Sequence, residues 1–121
     1  MTETIEQLVA GTIESYYGYV IKVEDGCSAI IASFKQNDLQ AALQGIIDLS
    51  EGLTWLIEAE NLLEEHSYKI VSPLINVSPL FGKINESIRI NDFEQIILLI
   101  EEELQPLFKK ANEWKFEEVI S

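Results

Sequence analysis

The chain is short of the residues that usually carry chemistry: one cysteine, one histidine and one methionine among 121 residues. A single cysteine, Cys27, excludes an internal disulfide and any Cys-x-x-Cys redox or zinc site. His66 has Leu63 three positions before it, so the Glu-x-x-His pairs that build a di-iron centre in a helical bundle are missing. No glycine-rich phosphate loop or nucleophile elbow is present, and one histidine is a poor source of a general base for the many serines. The expectation is a protein without metal, cofactor or catalytic residues. Basic side chains are scarce as well. Eight stand against 21 acidic ones, a formal net charge of -13, which repels nucleic acid phosphates and anionic lipid headgroups and argues against both as partners.

Long apolar runs are absent too. Ile96 to Ile100 is closed by Glu101-Glu102-Glu103, far short of the ~20 residues that span a bilayer. Met1-Thr2-Glu3-Thr4 carries acid where a secretory signal needs basic residues. Together with the lone thiol, this predicts a cytoplasmic protein folding as one helical-bundle domain over residues 1–121.

What the chain does contain is an internal repeat. Ser33-Phe34-Lys35-Gln36-Asn37-Asp38-Leu39-Gln40 returns as Ser87-Ile88-Arg89-Ile90-Asn91-Asp92-Phe93-Glu94, and the likeness continues from Leu43 and Ile46 to Ile97 and Ile100. Asn tolerates the left-handed conformation that ends a helix and Asp caps the next one, so each Asn-Asp reads as a two-residue reversal. Around these turns the apolar spacing is helical. Ile13, Tyr16, Val20, Val23, Cys27, Ile30 and Phe34 alternate steps of three and four, which predicts one long first helix, capped by Thr2 or Thr4 and continuous through Gly26. Helix two buries Leu39, Leu43, Ile46, Leu49, Leu53, Leu56 and Leu63. Helix three starts at Ser72-Pro73 or Ser78-Pro79, since proline suits the first helical position. Helix four follows Phe93, Ile97, Ile100, Leu104, Leu107, Ala111 and Trp114 almost to the end, kinked at Pro106. The predicted fold is all-α: an antiparallel up-and-down four-helix bundle built from two helical hairpins, without strands.

Function therefore has to lie on the surface. On helix two, Gly52, Trp55, Ala59 and Leu62 form a second apolar strip beside the main stripe, suited either to partner binding or to packing within the bundle. Tyr16 and Tyr17 are adjacent and cannot both face one core, which leaves one for solvent or a partner. Glu103, beside Pro106, is either tied to a backbone amide or Lys69, or free as a hook for a basic partner. Every formal charge from Gln36 to Tyr68 is negative.

The segment Asn91-Asp92-Phe93 to Pro106, with Leu99-Ile100-Glu101 and Glu103-Leu104-Gln105-Pro106 at its centre, resembles a pattern of small helical proteins of Firmicutes, approximately Asp-Leu-Leu-Glu-Tyr-Glu-Leu-x-Pro. Leu98 stands where that pattern has Asp and Glu102 where it has Tyr. The resemblance implies a bacterial protein near motility systems, and the paired hairpins are similar to flagellar export chaperones, which hold a partner's helix in a bundle groove. The expected function is a non-enzymatic interaction module or chaperone-like adaptor that binds another protein. The alternatives are an acidic inhibitor or immunity protein occluding a basic site, and a homodimer using the same strips.

Overall fold

Asn37 and Asn91 adopt left-handed backbone, with φ of 61° and 58°. At each, the helix closes through the same pair of bonds: the Asn N–H reaches the carbonyl three residues back, and the next N–H reaches five back, from Asp38 to Ser33 at 2.9 Å and from Asp92 to Ser87 at 2.8 Å. That double closure is a Schellman motif. The Asp side chain then accepts from the following helix, Asp38 from Ala41 N–H and Asp92 from Gln95 N–H. One residue ends a helix while its neighbour starts the next, so the flanking helices run antiparallel with no slack.

The computed structural model describes residues 4–119 and is an all-α four-helix bundle. The first helix is in two pieces, α1 (Ile5–Val20) and α2 (Val23–Lys35), which corrects the expectation of one rod. The break lies at Ile21-Lys22; Gly26 is inside α2. There the Lys22 N–H bonds back to Tyr19 at 2.9 Å, a three-residue step in place of four. Both residues stay right-handed, so the axis bends and the seam of Tyr16, Val20, Val23, Cys27, Ile30 and Phe34 stays buried throughout. Val20, Ile21 and Val23 are β-branched and hold a helix weakly. The bend also lets α1 and α2 follow different neighbours. Thr4 caps α1 in a capping box with Gln7; the alternative cap, Thr2, lies outside the described residues.

Helix two is α3 (Leu39–Glu65), a rod of 27 residues and roughly 40 Å. Its buried stripe runs through Ala42, Ile46, Leu49, Leu53, Leu56, Ala59 and Leu63, whereas Leu39 is 39% exposed and Leu43 half-buried. Helix three is α4 (Val77–Arg89), entered through a 3-10 turn at Leu74–Asn76. Pro73 precedes that turn, and Pro79 sits at the third position of α4 instead of the first, still within the turn that has no use for its missing N–H.

The fourth helix departs most from expectation. It begins as α5 (Phe93–Leu98), widens into a π-helical turn over Leu99–Leu104, and tightens into a 3-10 turn at Gln105–Phe108. Pro106 offers no N–H to the regular ladder, and the change of pitch absorbs the missing bond ahead of it where a simple kink was expected. The change rotates the buried face, so Ile96, Leu99 and Phe108 are covered where Ile97 and Leu107 were expected to be. Beyond Ala111–Glu113 the chain is extended. Its last described residues form β2 (Glu117–Glu118), antiparallel to β1 (Tyr68–Lys69), so two short strands exist where none was expected. Among the described residues, no helix is long and apolar enough to cross a membrane.

Two helical glycines of opposite surroundings test the packing. A Cβ on Gly45 would come within 2.8 Å of Ile30 Cγ1, while one on Gly82 would meet nothing within 4 Å. Gly82→Ala should raise stability by about 0.5–1 kcal/mol through helix propensity. Gly45→Ala should lower it by about 1–3 kcal/mol, because Ile30 is buried and stiff at its branch point. Urea unfolding of the two variants reads both signs.

Candidate interaction surface

Around the bundle, α2 packs along α3 and against the π turn, and α4 packs against α5 and that same turn; α3 and α4 make hardly any close approach. The ring is open on that side. Between the two helices lies a recess of about 360 Å³ lined by Leu43, Ile46, Ile47, Ser50, Glu51, Asn85 and Ile88. Ile47 is 51% exposed there, next in sequence to the buried Ile46. Seven residues along each flank from Ser50 and Ile88, Ile57 on α3 and Phe81 on α4 are half-buried and pack against the core. A larger recess of about 420 Å³ runs outside α2 and α3. It arises from the small size of Gly26, Ala29, Ala41 and Gly45 along closely packed helices, not from their separation.

The residues singled out in the sequence do not form one surface. Trp55 and Leu62 are exposed, at 38% and 48%. Ala59 is buried at 4% and belongs to the core. Gly52 lies under Tyr19, whose hydroxyl would stand only 1.8 Å from a Cβ placed there, so it is a packing glycine. The predicted strip is thus reduced to two separate side chains on the back of α3. Glu103 faces Lys83 at 4.0 Å with both side chains largely in water, a pair of little worth; Lys69 is engaged instead with Glu64 at 3.9 Å. Lys83 and Asn85 lie roughly 160° apart around α4, which puts Glu103 on the opposite flank from the groove. The groove itself was missed in the sequence, where the adjacent Ile46 and Ile47 were the available signal.

The adjacent tyrosines are divided as their spacing requires. Tyr16 is fully buried, and its hydroxyl donates to Glu60 Oε2 at 2.5 Å; Ser72 Oγ donates to the same oxygen at 2.7 Å. One carboxylate thereby joins α1, α3 and the connection before α4. Burial, then the Glu60 bond, hold the Tyr16 hydroxyl in its protonated form well above the usual tyrosine range. Tyr17 turns outward but does not reach open solvent: its hydroxyl accepts the Phe116 N–H at 2.8 Å, and the Lys115 ammonium lies 4.8 Å from its ring centre. Phe116 also meets Tyr16 edge-on at 4.8 Å. Cys27 is fully buried on the seam, and burial, with Glu24 nearby, pushes its thiol up to about 12, the opposite of what a nucleophile needs. His66 is the exposed residue that ends α3. Among the described residues, no cluster of His, Cys, Asp and Glu is grouped to hold a metal.

Residues 11–113 match the sequence model of the family described as Domain of unknown function (DUF8042), and the chain belongs to that family. No curated protein and no solved structure matches it.

The buried tyrosine makes stability depend on alkaline pH. The folded state keeps the Tyr16 proton where the unfolded chain releases it, at about pH 10, so this contribution is complete below that pH and is lost as pH climbs above it. Cys27 acts the same way, with a loss beginning from about pH 9. In a Cys27→Ala background, Tyr16→Phe should cost about 1–2 kcal/mol near neutrality and flatten the fall in urea midpoint between about pH 9 and 11.

Proposed function

We propose that this member of the DUF8042 family is a non-enzymatic interaction module that receives a helix of another protein in the groove between α3 and α4. The observation that carries the reading is the open side of the bundle, where Ile47 stands half-exposed above an apolar recess. Two helices that would ordinarily close on each other present half-buried side chains across a gap, the geometry in which an amphipathic helix completes a bundle. A cytoplasmic, chaperone-like role beside bacterial motility proteins belongs to the same proposal, supported by the resemblance of the paired hairpins to flagellar export chaperones. The groove takes over the role first assigned to the Trp55 strip, because Gly52 and Ala59 are occupied within the monomer.

A second reading has its own support. Every formal charge on α3 is negative, which suits an inhibitor or immunity protein steered onto a basic site. The two differ in what holds the partner, since apolar burial is not screened by salt and steering is.

Full-length protein carrying Ile47→Asp or Trp55→Asp, each verified as folded by circular dichroism, serves as bait in extract of the native organism. Groove binding predicts a partner kept by wild type and Trp55→Asp through a high-salt wash and lost from Ile47→Asp. A partner kept by Ile47→Asp and shed in salt supports the inhibitor reading instead.

A further inference from the structure

We infer that the gap between α3 and α4 is an unlatched copy of the seam between α2 and the fourth helix, held open by Ser50, Gly82 and Asn85. What separates the two helices is then a property of this chain, independent of any partner. The internal repeat supplies the comparison. Aligning Asn37-Asp38 with Asn91-Asp92 makes α4 the counterpart of α2 and α5 that of α3, so the seams α2–α5 and α4–α3 occupy equivalent places. One is closed and the other is not: α2 packs closely on α5 and on the turns that follow it, whereas α4 barely approaches α3. The two share a floor, since Ile30 and its counterpart Ile84, and Ile46 and its counterpart Ile100, are all buried. Their rims differ. Ile31 and Phe34 of α2 are buried, and Phe34 meets Phe93 with ring centres 5.7 Å apart. On the open side the same positions are Asn85, Ile88 and Leu39, of which Asn85 and Leu39 are exposed.

A latch is missing as well. The π turn adds one residue to the fourth helix: Ile100 pairs with Ile46, but the next buried positions, Leu104 and Phe108, fall one place later than Leu49 and Leu53 require. Beyond that turn, Gln105 corresponds to Ser50. The Gln105 amide reaches across to α2, where its Nε2 donates to the Glu24 carbonyl at 2.9 Å and to Ser28 Oγ at 2.7 Å. Ser50 is too short for that span, and the counterpart of Ser28 is Gly82, which has no hydroxyl to offer. Closing α4 onto α3 would also carry the Asn85 amide out of water into a recess walled by Leu43, Ile46 and Ile47, which give it no hydrogen bond. The open seam thus lacks the branched side chain, the aromatic pair and the bridging amide that hold the closed one.

Reinstating the closed seam's residues in the full-length protein, as Ser50→Gln/Gly82→Ser/Asn85→Ile, tests this. Spin labels on Glu58→Cys and Lys83→Cys in a Cys27→Ala background report the separation of α3 and α4 by pulsed electron paramagnetic resonance. The separation should shorten by about 2 Å or more, as the axes close toward the roughly 8–10 Å of packed helices. Ser50→Ala/Gly82→Ala/Asn85→Ala raises helix propensity at the same positions without filling the seam, and should leave the separation at its wild-type value. Asn85→Ile alone changes one exposed residue, keeps the fold, and should shorten the separation part of the way. A wild-type separation in the triple variant, or in Asn85→Ile if the triple variant does not fold, overturns the inference and leaves the groove reading standing. Equal shortening in the alanine control does the same. Without labels, the closed variant should capture none of the partner that wild type retains. A partner kept by the closed variant through the high-salt wash overturns the groove reading and leaves this inference intact.

Discussion

The architecture depends on what Asn-Asp does to a chain in two residues. Left-handed backbone at Asn37 and Asn91, each followed by an aspartate that caps the next helix, leaves no freedom in how either pair of helices meets. Both reversals fall at one end of the bundle, where Phe34 and Phe93 touch with ring centres 5.7 Å apart. The connection between α3 and α4 is of another kind. It takes residues 66–76, with a second left-handed residue type at Ser67, a strand and a 3-10 turn, and it leaves the helices it joins standing apart. Tight turns close two sides of the bundle, and the loose one coincides with the side that stays open.

The four-helix fold, both reversals and the seam from Tyr16 to Phe34 were legible in the sequence because each is a local rule: a capping residue, a left-handed asparagine, a three-four spacing. The bend at Ile21-Lys22 was not, since apolar periodicity survives a three-residue step and the seam runs straight through it. Pro106 announced trouble in the fourth helix but not its form. Whether a missing N–H is absorbed as a kink, a π turn or a 3-10 turn is decided by tertiary packing, here including the Gln105 amide, which donates to the Glu24 carbonyl and Ser28 hydroxyl on α2.

The candidate surface was the least legible part, for a related reason. Helical spacing places Gly52, Trp55, Ala59 and Leu62 on one strip but says nothing of which neighbour leans over it; Tyr19 reaching across to Gly52 is a contact between distant segments. Nor does spacing tell which pair of helices will stay apart. Ile47 lies outside the stripe that the spacing picks out on helix two, and only the placement of α4 shows that it stands over a recess beside the buried Ile46.

The cover over the two tyrosines is a contact of very long range, with 99 residues separating Phe116 from Tyr17. Closing so long a loop comes late, because its entropy is lost before its contacts are gained. During synthesis the consequence is one of sequence in time. Each Asn-Asp hairpin can pair as soon as its second helix has left the ribosome, but Tyr16 and Tyr17 must wait, uncovered, until the segment that carries Phe116 has emerged. The nascent chain therefore leaves these two rings uncovered while the intervening hairpins are made, and the emergence of Phe116 is the event that seals them.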